Sequence, residues 1–263
     1  MKNRGSPMWI PEPNNNLPIE YRRNGTTVGD VGIITESGSF DFLFNICLPS
    51  EHPINEGCVP KGFVPIQMLK RDIRRHTEFN LGSFLASTSV EKSQYKGNFA
   101  TSSLVFESSS SASEGAILTM PQGAKSEDLA NIWHFERYMI RYIESWYRFI
   151  NGERGRNAKN GDVRLVIGCD KATEWGMATF KSSTTRNEPC RFKFRLTGES
   201  PFGPVYSWRH SSMGRMAEVR TGPVPNDVKE LTALGNLHDG PPYTNQALFV
   251  RVKVDPIFTL PRP

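Results

Sequence analysis

A chain of 263 residues with 37% hydrophobic and 11% aromatic content, spread along its length, can bury a substantial core and is not globally disordered. No run approaches the roughly 20 consecutive apolar residues of a membrane-spanning helix, and the N-terminal MKNRGSPMWIPEPNNN lacks the apolar core of a secretory signal. The expected compartment is therefore cytoplasmic or nuclear. The net charge of +5, from 32 basic against 27 acidic residues, is a weak bias toward anionic partners.

Residues 1–28 carry Pro7, Pro11, Pro13 and Pro18 with no apolar period, which predicts an irregular N-terminal arm followed by one domain over 29–263. Val31 to Thr35 and Phe40 to Leu48 flank a turn-like Glu36-Ser37-Gly38-Ser39, the pattern of a β-hairpin. Strand alternation puts Phe40, Phe42, Phe44 and Ile46 on one face and Asp41, Leu43, Asn45 and Cys47 on the other. The proline-rich stretch from Pro49 to Pro65 reads as a surface loop. Ile66, Leu69 and Ile73 then predict a short helix over 66–76. Its basic cluster, Lys70, Arg71, Arg74 and Arg75, reads as a solvated face.

Strand-like runs follow at Ser83 to Glu91 and Asn98 to Glu107, joined by a turn over Ser93 to Gly97, with a further strand at Gly115 to Met120. The strongest periodic signal is an amphipathic helix from about Ser126 to Asn151. Ser126 is its expected N-cap, Glu127 and Asp128 complement its dipole, and Asn151-Gly152 stops it. Leu129, Ile132, Trp133, Met139, Ile140, Ile143, Trp146, Tyr147 and Ile150 form its apolar stripe. A second hairpin is expected at Val163 to Cys169 and Trp175 to Phe180. Strands at Cys190 to Thr197, Val205 to Trp208, Met216 to Arg220 and Ala247 to Val254 complete the pattern, with loop or short helix over Asn226 to Asn236. Together these predict an α+β fold: an antiparallel sheet or sandwich with one long amphipathic helix packed against it.

Chemistry-bearing motifs are sparse. There is no GxxxxGK[ST], no GxGxxG after a strand, no HExxH and no GxSxG, so no catalytic residue, metal site or cofactor is assigned. His52, His76, His134, His210 and His238 are far apart, and Cys47, Cys58, Cys169 and Cys190 fit neither a disulfide framework nor a zinc pattern. They read as reduced thiols. The segment GCDKATEWG, 168–176, bunches Asp170, Lys171, Glu174 and Trp175 in an expected loop between two strands, a candidate ligand or partner loop. Its structural alternative is a turn in which Asp170 caps backbone amides and Trp175 enters the core. Tyr206, Trp208 and Arg209 form a weaker candidate platform for stacking, and nucleic acid as a partner has no recognised motif behind it.

The blocks GDVGIITESGSFDFLFNICLP, EGAILTMPQGAKSEDL, ESWYRFINGERGR and LVIGCDKATEWGMATF, spread over residues 29–180, resemble a family of uncharacterised proteins of mushroom-forming (basidiomycete) fungi. The resemblance implies an origin and, through relatives associated with nucleotide-binding sensor architectures, a partner-binding or signalling module. It implies no catalytic residue. The expectation is a non-catalytic intracellular interaction or regulatory module with a protein partner, in fungal recognition or defence. An enzyme using the 168–176 loop with Asp30 or Asp41, and a membrane-acting domain using 83–107, are the alternatives.

Overall fold

The computed structural model describes residues 4–93, 103–109, 111–182, 189–211, 215–234 and 242–255. In chain order its elements begin with β1 (Ser6–Pro7), α1 (Ile19–Asn24), β2 (Asp30–Ile34), β3 (Phe40–Asn45), β4 (Ile73–Phe79), β5 (Ser83–Ala86) and β6 (Val90–Ser93). The middle of the chain supplies β7 (Ser103–Ser108), β8 (Glu114–Met120), β9 (Ala124–Leu129), α2 (Ile132–Asn151), β10 (Val163–Ala172) and β11 (Trp175–Ser182). It ends with β12 (Arg191–Ser200), β13 (Gly203–Ser211), β14 (Arg215–Gly222), α3 (Pro225–Ala233) and β15 (Gln246–Lys253). The protein is a sheet-rich α+β chain with antiparallel strand pairing and three α-helices among the described residues: α2 within the long helix expected, α3 where a loop or short helix was expected, and α1 in the stretch expected to be irregular.

The expected arm over 1–28 and single domain over 29–263 give way to two compact units. One is assembled from 1–78, 125–171 and 244–263, the other from 79–124 and 172–243. The N-terminal segment belongs to the first unit: Ser6 and Pro7 pair with Val250 and Phe249, and Met8 and Tyr21 are buried. Its prolines do not prevent this, because β1 is an edge strand with no neighbour on its outer side.

In the first unit a seven-stranded sheet runs β1-β15-β10-β2-β3, with β9 on the second half of β10 and β4 beside β9. Strict alternation fails in β3. Val31 pairs with Phe44 and Gly32 with Phe42, so Leu43 is an extra, bulged residue. The bulge turns Phe42 toward Tyr21, with ring centroids 4.2 Å apart, while Phe44 faces Trp146 at 5.6 Å and Phe149 at 6.2 Å. Two phenylalanines expected on one face thus serve two different cores. Asn55, fully buried in the proline-rich loop, completes the end of β3. Its side chain accepts from Asn45 N at 2.8 Å and donates to Asn45 O at 2.8 Å, a hydrogen-bond pair a neighbouring strand would otherwise supply.

Helix α2 packs Phe135, Met139, Ile143, Trp146, Tyr147, Phe149 and Ile150 onto Val31, Phe44, Val163 and Leu165. It starts later than the sequence pattern predicts. Ser126 is inside β9, opposite Asp170 of β10, and the helix begins after Asn131 without a side-chain cap. A local capping signal has lost to strand pairing, which satisfies the same backbone groups. Trp133 and Ile140, expected in the apolar stripe, are instead 66% and 62% exposed. The predicted helix over 66–76 is replaced by a short 3-10 turn, Lys70–Asp72, and strand β4, because β9 provides a partner strand.

The second unit contains two four-stranded sheets, β14-β11-β8-β5 and β13-β12-β7-β6. Ile117, Ala178 and Phe180 of the first sheet share one core with Val90, Phe106 and Phe192 of the second, the arrangement of a β-sandwich. Pro225 opens α3, and Val228 and Leu231 anchor it. The turn expected after Ser93 falls at 94–97, outside the described residues, as does the start of the strand expected from Asn98. Among the described residues no helix is long and apolar enough to cross a membrane.

Phe44 is fully buried at the junction of helix and sheet. Phe44→Ala is expected to lower the unfolding free energy by about 3–5 kcal/mol, read as a fall in urea midpoint at unchanged slope. A loss under about 1 kcal/mol would mean that α2 and β3 do not share a core.

Candidate functional site

The segment expected to be a loop is mostly strand. β10 continues through Asp170, Lys171 and Ala172, and only Thr173 and Glu174 turn the chain into β11. None of the four candidate residues is exposed: Asp170 is 1%, Lys171 6%, Glu174 5% and Trp175 0% accessible. The pairing of β10 with β9 explains the first two. Cys169 lies opposite Glu127 and Asp170 opposite Ser126, so Glu127, Cys169 and Lys171 share one face while Ser126, Asp128 and Asp170 share the other.

On the second face sits Arg251 of β15, a residue that the sequence pattern marks only as part of a strand. Its Nη1 donates to Asp170 Oδ1 at 2.8 Å and to the Arg4 carbonyl at 3.5 Å. Its Nη2 donates to Ser126 Oγ at 2.9 Å and the Glu127 carbonyl at 3.2 Å, and its Nε donates to Asp128. All five guanidinium N–H groups therefore have acceptors within the protein. Burial works against the cation, but Asp170 and Asp128 outweigh it and hold the Arg251 pKa above its ordinary value. The glycine of GCDK has its reason here. A Cβ on Gly168 would lie 2.4 Å from Asp128 Oδ1 and 2.7 Å from Arg251 Nε, so only glycine leaves room for the ion pair.

On the first face Lys171 reaches a cleft of about 380 Å³ within the first unit, bounded by α1, the start of β2, the end of β3 and the β9–β10 pair. Lys171 Nζ donates to the Asn24 carbonyl at 3.1 Å and pairs with Glu127 Oε2 at 3.5 Å; Arg75 Nε binds Glu127 Oε1 at 2.8 Å. Burial opposes ionisation of Glu127, but Lys171 and Arg75 prevail and its carboxyl titrates below the usual range. Asp30 is the most buried acid in the cleft. Its Oδ2 accepts from Thr27 N at 2.7 Å and Tyr21 OH at 3.2 Å; its Oδ1 accepts from Asn45 Nδ2 at 2.7 Å and Thr27 Oγ1 at 3.4 Å. Burial raises the Asp30 carboxyl to about 7, with these donors and Lys171 pulling the other way. The Leu43 bulge is what brings Asn45 into register with Asp30.

Cys169 is buried and donates its thiol to the Thr26 carbonyl at 3.4 Å; burial pushes it up to about 12, so it supplies no thiolate near neutral pH. Asp41, the other acid considered for an enzyme, is raised by burial and pairs with Arg156 at 3.1 Å. In the second unit Glu174 accepts from the Thr173 hydroxyl, and burial raises its carboxyl. Trp175 is enclosed, with Gly222 against its indole.

The second candidate group is not a platform. Along β13, Tyr206 and Trp208 share a face and Arg209 points away from them. Tyr206 stacks on Phe194 at 5.2 Å, and Trp208 packs on Phe194 at 4.8 Å while donating to the Arg220 carbonyl at 3.1 Å. Both rings are half-buried sheet residues, not an open stacking surface. Sequence reasoning missed Tyr21, Asn45, Arg75, Glu127 and Arg251 as site residues. The only local signal was the placement of a charged residue inside an apolar strand, VRV, around Arg251.

Among the described residues no three His, Cys, Asp or Glu side chains are grouped as a metal site. No protein-family model matches the chain, and no curated protein matches its sequence.

Two stability measurements test this geometry. Arg251→Ala leaves Asp170 buried with Arg4 at 3.9 Å as its remaining cation, and is expected to cost about 3–5 kcal/mol in urea unfolding. A change below about 1 kcal/mol would show the network to be incidental. Asp30→Ala orphans the donors of Tyr21, Thr27 and Asn45 and is expected to cost about 3 kcal/mol at pH 4. Because the folded-state pKa is raised from 3.8 to about 7, the stability from protonated Asp30 is complete below pH 4 and fades as pH rises to 7. The gap between wild type and Asp30→Ala should therefore shrink from pH 4 to pH 8; a gap that widens would reverse the assignment.

Proposed function

We propose that the chain is a non-catalytic interaction or regulatory module whose first unit receives a polar side chain of a protein partner in the cleft around Lys171. One observation carries the reading: the three acidic or basic side chains buried deepest in the cleft are already matched by neighbours. Asp30 has four donors, Lys171 has the Asn24 carbonyl and Glu127, and Glu127 has Arg75 as well. Such walls offer shape and polarity for binding, with no acceptor position on Asp30 open to a substrate proton. A setting in the cytoplasm or nucleus and a role in fungal recognition or defence rest on the sequence features and the family resemblance described above.

An enzyme of unknown class is the second reading, favoured by the Asp30 carboxyl near 7, where a general base functions best. The filled acceptor positions weigh against it. Membrane action through 83–107 draws less support, since β5, β6 and β7 are strands of the sandwich sheets.

The test is affinity capture from native extract with the full chain and with a Lys171→Met, Glu127→Gln double variant, which removes the paired charges together. Recovery of wild-type partners is expected to fall about tenfold or more for the variant. Equal recovery by both proteins would refute the cleft as the contact surface.

A further inference from the structure

The outward side of α2 carries a feature that neither the core nor the cleft uses. Seven side chains of this helix are buried, yet on the opposite face Trp133 and Ile140 are left mostly exposed, seven residues and so about 10 Å apart along the axis. The face is basic. The Arg137 guanidinium lies 4.8 Å from the Trp133 ring centroid, and Arg141 lies 5.4 Å from that of Tyr142. The acids nearby are neutralised, Glu144 by Arg148 and Glu136 by Lys253. The turn holding Lys70 and Arg71 is tied to the start of the helix, where Ala130 N donates to the Asp72 carbonyl at 2.8 Å.

We infer that this face of α2 docks the protein on an anionic lipid surface, with Trp133 and Ile140 entering the headgroup region and Arg137, Arg141, Lys70 and Arg71 facing the lipid phosphates and carboxylates. Area argues for a lipid over a protein occupant. Trp133 and Ile140, 66% and 62% exposed, present roughly 250–300 Å² of apolar surface, short of the about 500 Å² per partner that a specific protein interface of about 1,000 Å² in total needs. A fluid bilayer requires no shape complement: it accepts an isolated tryptophan at the interface and adds attraction for each nearby cation. The helix lies on the surface in this arrangement and does not span it. The inference uses none of the cleft residues and stands apart from the recognition reading.

The experiment is co-sedimentation of the full chain with vesicles of phosphatidylcholine alone or with about 30% phosphatidylserine. Far-UV circular dichroism and urea midpoints establish that each variant is folded. Wild type is expected to bind the anionic vesicles and not the neutral ones, and to be released at about 0.5 M salt. Arg137→Glu with Arg141→Glu should weaken binding about 50-fold or more, and Trp133→Ser with Ile140→Ser about tenfold. Failure to bind anionic vesicles, or binding that neither folded double variant changes, overturns the inference. A duplex DNA of about 30 base pairs is run in parallel. Tighter binding to DNA than to vesicles, lost with the arginines but kept without Trp133 and Ile140, would reassign the face to nucleic acid.

Discussion

The guanidinium of Arg251 is the constraint on which the first unit depends. A buried carboxylate such as Asp170 is tolerated only when paired and hydrogen-bonded, and Arg251 does this from another strand while also binding Ser126, Asp128 and two carbonyls. The planar fork of five donors suits that task, and a lysine could not reproduce it. One side chain thereby ties β15 to β10 and β9, whose contacting residues lie 81 and 123 positions away in sequence. The glycine at 168 is the structural cost of the arrangement, since any side chain there would occupy the path of the ion pair.

The same strand pair sets the polarity of the cleft. Alternation along β10 sends Asp170 to Arg251 and Lys171 to the opposite face, where it meets Glu127 and the end of α1. Asp30 joins α1, the turn before β2 and the end of β3 through its four donors. The two acids have contrasting surroundings. Asp170 has a full cation beside it, whereas Asp30 is held chiefly by neutral donors and burial therefore raises its pKa. Structural demand thus accounts for both charged residues that made GCDK conspicuous, and leaves the cleft itself as the place where a ligand group could enter.

Much of the strand pattern was legible in the sequence. The hairpin around Ser37 and Gly38, the strands after Val163 and Trp175, and the last strand all occur within a few residues of their expected bounds, because alternation and turn residues are local signals. The errors have a common cause. Ser126 resembles a helix cap and Ile66, Leu69 and Ile73 resemble a helix face, but β4 and β9 pair with each other, and that pairing overrides local preference. Trp133 fitted an apolar stripe by spacing, yet periodicity alone does not say how wide a surface the sheet can cover.

The sequence by itself determined that this chain forms the hairpin of β2 and β3 and a strongly amphipathic helix, and that no familiar catalytic or metal-binding spacing is present, since these features depend on neighbours within a few residues. The second hairpin expected, over Val163 to Phe180, does not form, because β10 and β11 find their partner strands in different sheets. Only the tertiary structure decided that there are two compact units, that 168–176 is the end of one strand, a tight turn and the start of another strand that pairs in a different sheet, and that Asp170, Lys171 and Glu174 are buried. The physical reason is that a charged side chain has the same local sequence whether it faces water or a partner. Arg251 lies 81 residues from Asp170 and 123 from Asp128, and their pairing is set by the sheet that brings the three strands together.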